Sequence, residues 1–301
     1  MPFAIKNYFS GPFLVALASF LWATDALVRY PAVGKTDPII IVLFEHILVV
    51  FLLFPWVLRK YGKSLFSLSP TEWLAAIFSG VGGSALGTVF FTASFSYVNP
   101  SVAVLLQKLQ PIIVVIVAFL ILGERPAKKF YGWGVVALIA GLILSFPDLN
   151  FQFLSDGVNL HSKGIQYAFA AAFLWATSTV SGKILLKRTP PASATFWRFA
   201  FGSIPLLGLL FLGSTSFPME VLNSSSSLLT LLYLSLVPGL FAMLIYYTGL
   251  ARTSASTTTF IELVYPIGAV ILNTVFLHTP LDSVQTIAGG VLILAVAMIS
   301  F

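Results

Sequence analysis

The sequence predicts an all-α integral membrane protein with ten transmembrane helices arranged as two inverted five-helix repeats. Three observations carry this reading. The chain of 301 residues is 58% hydrophobic and only 9% charged, against about 25% charged in a soluble domain. Its apolar runs are continuous rather than alternating, so they read as helices and not as barrel strands. The word FLWAT at Phe20–Thr24 returns at Phe173–Thr177, about half a chain later.

A bilayer span needs about 20 mostly apolar residues. Ten stretches qualify: 12–30, 38–58, 72–97, 101–122, 128–147, 162–183, 192–212, 226–250, 255–277 and 284–301. Turn-forming tracts such as YPAVGKTDP, SFPDLNFQFLSDGVNLHS and GSTSFPMEVLNSSSS connect them, leaving no room for a soluble domain. The halves align beyond FLWAT. FLWATDALVRY matches FLWATSTVSGK, setting Trp22 opposite Trp175. VLFEHILVV matches ATFWRFAFG, setting His46 opposite Arg198. SVAVLLQKLQP matches STTTFIELVYP, setting Gln107 opposite Glu262 and Pro111 opposite Pro266. The order holds across each half, which is an internal repeat: 1–148 and 162–301, joined by a loop at 149–161.

Five helices per half is an odd number, so the second repeat enters the membrane inverted. The charges agree. Lys6, Arg59, Lys60, Lys63, Arg125, Lys128, Lys129, Lys183, Lys187, Arg188 and Arg252 collect on one side, with only Arg29, Lys35 and Lys163 on the other. Lys/Arg bias of this kind sets orientation. It places both termini in the cytoplasm of a multi-pass cytoplasmic (inner) membrane protein. The net charge of +6 is thereby read as topology and not as affinity for nucleic acid.

Charges at mid-membrane cost at least about 2.5–3.5 kcal/mol and face a cavity or a partner. Glu45, Lys108, Arg198 and Glu262 are such residues, with His46 beside them. The expected pairs are Glu45–Lys108 and Glu262–Arg198, or the crossed pairing, serving either a substrate or proton site or a static tie between helices. Asp25 and Arg29 read as an exposed i,i+4 pair at the outer interface, a cavity role for Asp25 remaining open. Thr258, Glu262 and Tyr265 share one helical face, and Gln107 and Gln110 the equivalent face, with Lys108 alongside. Pro111 and Pro266 follow these stripes, where a missing donor bends a helix. Trp22 and Trp175 suit either packing or stacking on a flat substrate. SGVGGSALG at Ser79–Gly87 permits close helix approach.

The motifs FLWAT, SVAVLLQKLQPIIVVIVAFLILGERP with GWGVVALIAG, and YYTGLARTSASTTTFIELVYPIGAVILNTVFL resemble the drug/metabolite transporter superfamily, in particular its EamA-type ten-helix members. The second half departs where LGERP becomes LHTPL, which lacks the acid. The resemblance implies a secondary transporter of a small organic metabolite, an amino acid or related compound, working by alternating access and exporting its substrate. It also implies a cavity framed by the first, third, fourth, sixth, eighth and ninth helices, with the second and seventh as outer or gating elements. The expected substrate pathway is Trp22, Asp25, Glu45, His46, Gln107, Lys108, Trp175, Arg198, Glu262 and Tyr265. Protons are the candidate coupling ion, carried by Glu262 or His46. No cofactor is expected: there is no cysteine, no lysine of a phosphate loop follows the glycines, and His46, His161 and His278 lack metal-ligand spacing. A channel or scaffold is the alternative, and an intramembrane enzyme a remoter one, since no Ser/His/Asp set is recognisable. The partners are the lipid bilayer and the substrate; the sequence leaves the oligomeric state open.

Overall fold

The structure, a computed structural model, describes residues 9–33, 36–98, 106–145, 163–212, 224–277 and 283–300. The predicted connection at 149–161, the start of the fourth stretch and the LHTPL tract after Leu277 lie outside them. Among the described residues every regular element is a helix. They are α1 (Gly11–Val33), α2 (Pro38–Tyr61), α3 (Pro70–Ser94), α4 (Gln110–Leu122), α5 (Lys128–Ser145), α6 (Lys163–Leu185), α7 (Pro191–Leu212), α8 (Ser225–Ala251), α9 (Ala255–Ile261), α10 (Val264–Leu277) and α11 (Ser283–Ser300). Seven of these, α1, α2, α3, α6, α7, α8 and α11, are long and apolar enough to cross a bilayer.

The helix ends follow local chemistry. Asp37 accepts a hydrogen bond from the Ile39 amide at 2.7 Å and starts α2 with Pro38. Ser69 and Glu72 form a reciprocal capping box on α3. Gly123, at φ 69°, closes α4 in the left-handed conformation that glycine adopts without penalty. Two helices carry a π-helical stretch, Ser79–Leu86 within α3 and Ser235–Phe241 within α8.

Prolines break two further helices. Pro111 has no N–H to donate to the Gln107 carbonyl, nor Pro266 to that of Glu262. The chain turns at Lys108–Leu109 before α4, and again at Glu262–Leu263 between α9 and α10. Tyr265 N–H then bonds back to the Glu262 carbonyl at 3.0 Å, a tighter turn than the α-helix makes.

Packing interleaves the two halves. α1 lies against α8 and α10, while α6 lies against α3 and α4; α2 packs on α7, and α5 on α11. Large apolar side chains such as Phe51, Leu74, Leu120, Phe211 and Leu212 are left exposed on the outside, the surface that hydrocarbon would cover. The glycine-rich face of α3 is where close approach is needed. A Cβ at Gly80 would sit 2.6 Å from the Arg198 carbonyl oxygen, and one at Gly83 would overlap the Ser178 side chain. Gly132 on α5, by contrast, has open space around it. Gly83→Val should therefore destabilise the purified protein by at least about 1–3 kcal/mol. Gly132→Ala should leave its thermal midpoint in detergent within about 1 kcal/mol of the parent. Equal midpoints for the two variants would contradict this packing.

Candidate functional site

A cavity of about 220 Å³ lies where α1, α2, α3, α6, α7, α8 and the two broken segments converge. Its wall includes all ten residues of the predicted pathway: Trp22, Asp25, Glu45, His46, Gln107, Lys108, Trp175, Arg198, Glu262 and Tyr265. The second and seventh segments are not confined to outer positions, because α2 supplies Glu45 and His46 and α7 supplies Arg198.

The charges pair differently from expectation. Glu45 meets neither Lys108 nor Arg198; its Oε1 lies 2.8 Å from Arg29 Nη1. The same guanidinium donates to both oxygens of Asp25, each at 2.7 Å. The Asp25–Arg29 pair thus exists but is not at an exposed interface, since Arg29 is only 4% exposed. The repeat alignment could not reveal this bond, because it joins α1 to α2 within one half. Arg29 looked peripheral by its place near the end of an apolar run, yet the long side chain returns inward.

Arg198 and Glu262 do not pair either. Arg198 Nη1 donates to Ser178 Oγ at 2.6 Å and Ser79 Oγ at 2.9 Å, with Tyr247 Oη at 3.3 Å. Its Nε is buried with no hydrogen-bond partner. Glu262 accepts from Tyr246 Oη at 2.8 Å and from Gln110 Nε2 at 3.0 Å, and Thr179 Oγ1 lies 3.2 Å from the same phenol oxygen. Neighbouring residues on the same two helices therefore serve opposite charges. Ser178 and Tyr247 meet the cation, and Tyr246, itself contacted by Thr179, meets the anion. Among the described residues no carboxylate is within ion-pair distance of Arg198 or Lys108. Lys108 is buried, with its ammonium 5.8 Å from the Tyr265 ring centre.

His46 is locked. Its Nδ1 is 2.7 Å from the Val42 carbonyl, which requires an N–H there, and its Nε2 is 2.9 Å from Ser84 Oγ. The ring rests on Phe199 at 4.9 Å. Trp22 donates to the Pro238 carbonyl at 3.0 Å and tilts against Tyr246 at 4.9 Å, while Trp175 tilts against Phe91 at 5.0 Å. The Gln107 Oε1 and Thr259 Oγ1 atoms are buried without partners. Ser79, Ser178, Thr179, Tyr246 and Tyr247 were not singled out from the sequence. The paired tyrosines YY at 246–247 and the serine beside FLWAT were the available signals. Among the described residues no group of three or more His, Asp or Glu is placed to hold a metal ion.

The cavity sets aromatic faces and polar tips inside an apolar helical bundle. Comparison with known proteins identifies the class. The EamA-like transporter family matches residues 9–146 and 162–301, and the chain belongs to that family, within the drug/metabolite transporters. It is 28% identical to the riboflavin transporter ImpX of Fusobacterium nucleatum over 98% of this chain and 99% of that one. It is 25% identical to an uncharacterized transporter of Archaeoglobus fulgidus, covering 94% of each, and 26% identical to the protein PecM of Dickeya dadantii, covering 94% and 89%. A crystal structure shares its fold with a TM-score of 0.75 at 18% identity, covering 97% of this chain and 98% of that chain.

The two sets of charges separate by experiment. Arg29→Met strands two carboxylates in an apolar interior, which costs about 3–5 kcal/mol. Folded protein should largely disappear from a size-exclusion trace. Lys108→Met strands none and should express near the parental level. Equal yields of the two variants would contradict the assignment.

Proposed function

We propose that this protein is a secondary carrier that moves a small organic metabolite across the cytoplasmic membrane by alternating access. The reading takes the chain as ten spans in two inverted repeats, 1–148 and 162–301, with both termini cytoplasmic. The packing supports it: exchanging the halves turns α1 against α8 into α6 against α3, and leaves α2–α7 and α5–α11 as pairs. Broken helices at corresponding places in two repeats are a feature of carriers that bind at the repeat interface.

The observation that carries the substrate reading is the unpaired Arg198 and Glu262 in one cavity. Opposite charges in a low-dielectric site attract strongly, yet hydroxyls fix each in place. A ligand with an acceptor end and a donor end completes both. Trp22, Phe91, Trp175 and Tyr246 offer ring surfaces beside them. Riboflavin, named for the ImpX relative, has a flat ring system with carbonyls and an N–H along one edge, and is the first substrate to test. An amino acid, carboxylate on Arg198 and ammonium on Glu262, is the second. Flux follows the substrate gradient and any coupled ion. Glu262 is the proton carrier in this reading, because both His46 nitrogens are already engaged.

Counterflow of labelled riboflavin, and of labelled amino acids, in proteoliposomes tests this. A carrier shows saturable flux and counterflow, whereas a channel shows neither. Arg198→Gln and Glu262→Gln should each cut uptake at least about tenfold, the loss expected when a charged hydrogen bond to the ligand goes. Glu262→Gln should also flatten the dependence of uptake on an imposed proton gradient. Full activity in both variants would overturn the site.

A further inference from the structure

A second cluster of polar contacts lies outside the cavity. It surrounds the short connection between α8 and α9, residues 252–254. From one side, the Glu124 carboxylate accepts from the Ala255 amide at 2.8 Å, the Ser256 amide at 2.9 Å and the Ser256 hydroxyl at 2.6 Å. From the other, the Lys183 ammonium donates to the carbonyls of Leu250 at 2.8 Å, Ala251 at 3.3 Å and Thr253 at 2.6 Å. A carboxylate thus gathers the amides that open α9, and an ammonium gathers the carbonyls that end α8. Helix ends leave such groups without partners of their own. Arg252 adds a bond to the Phe9 carbonyl at 3.1 Å, next to the start of α1.

The position matters. The gripped hairpin joins the two helices that carry the cavity's charge network, Tyr246 and Tyr247 on α8 and Thr259 on α9, with Glu262 at its end. Ser256 lies one helical turn before Thr259, and Leu250 one turn after Tyr246 and Tyr247. Leu250 and Ser256 are fully buried, while Glu124 and Lys183 reach the surface beside Arg125 and Lys187. The hairpin thus begins and ends about one helical turn from residues of the cavity wall. Glu124 follows α4 in the first half, whereas the hairpin belongs to the second.

We propose that Glu124 and Lys183 are gate-positioning residues: their grip on the 250–256 hairpin closes the cavity toward the face bearing Arg125 and Lys128, and its release opens that face. This rests on the alternating-access reading, but not on any substrate. Hydrogen bonds between charged side chains and main-chain groups suit a gate, because water can replace them when the hairpin swings out. An interlocked apolar contact would offer no such exchange.

The chain contains no cysteine, so a single Thr259→Cys places the only thiol at the cavity wall. Labelling of membrane vesicles of each orientation with a membrane-impermeant maleimide reports which face reaches it. Adding Glu124→Gln should raise the labelling rate from the Arg125/Lys128 face about tenfold, the shift expected for loss of a charged hydrogen bond. The opposite face should show no rise. Ser256→Ala, which removes only the hydroxyl contact, should give a smaller rise on the same face, and Glu124→Asp should restore part of the closure. An unchanged rate with Glu124→Gln, or an equal rise from both faces, would overturn the gate. Loss of folded protein in both Glu124→Gln and Ser256→Ala would also overturn it, marking a fixed structural tie. Absence of riboflavin or amino acid counterflow would count against the substrates and leave this labelling result intact.

Discussion

Six acidic and basic side chains, Asp25, Arg29, Glu45, Lys108, Arg198 and Glu262, share one cavity inside an apolar bundle, and the way each charge is compensated sets what the surrounding helices must supply. Asp25, Glu45 and Arg29 form a buried ion-pair cluster that binds α1 to α2. Taking charges out of water is costly enough that such clusters persist only with close geometry, and the bidentate Asp25–Arg29 contact provides it. Arg198 is treated differently. Its guanidinium is met by three neutral hydroxyls from α3, α6 and α8. Three helices must approach α7 closely for their short side chains to reach. The small-residue face at Gly80 and Gly83 is the structural consequence of that demand.

Two of the cavity's charges, Lys108 and Glu262, sit at helix breaks. A side chain on an intact helix is fixed by the turn beneath it. At Glu262 the following proline has removed the next backbone donor, and the chain turns before α10 begins. The carboxylate then takes its position from side chains, Tyr246 and Gln110, rather than from helix geometry alone. Lys108 occupies the corresponding break before α4. Each half thus presents one charge from a segment whose backbone is already interrupted, a place where a change of shape disturbs few hydrogen bonds.

Much of this was legible in the sequence. Hydropathy located the helical stretches, because a continuous apolar run has few other uses. The prolines located the breaks, and charge rarity located the residues that line the cavity. Charge partners were not legible. Arg29 lies four residues from Asp25, so local spacing suggested a self-contained surface pair, and nothing in one dimension shows that α2 brings Glu45 to the same guanidinium. The hydroxyl ligands of Arg198 escaped for another reason. Serine and threonine are common in membrane helices, where they bond to their own backbone, as Thr195 and Thr248 do here, and a tyrosine there reads as an apolar ring. Only the fold separates those from Ser79, Ser178 and Tyr247.

The clamp on the α8–α9 hairpin rests on a residue at which the two halves differ in sequence. Its acid comes from LGERP in the first half, and the corresponding LHTPL of the second half has no acid to offer. In a two-state carrier the population of each state follows the difference in closing contacts at the two ends. In the proposed gate, a carboxylate with three hydrogen bonds and an ammonium with three weight the balance toward closure on the Arg125/Lys128 face. A ligand that moves the carrier must bind the opposite state more tightly by a comparable margin. Among the described residues Arg198 and Glu262 are held by neutral groups without a counter-ion, and in the proposed carrier they are the residues with interaction energy in reserve to supply it.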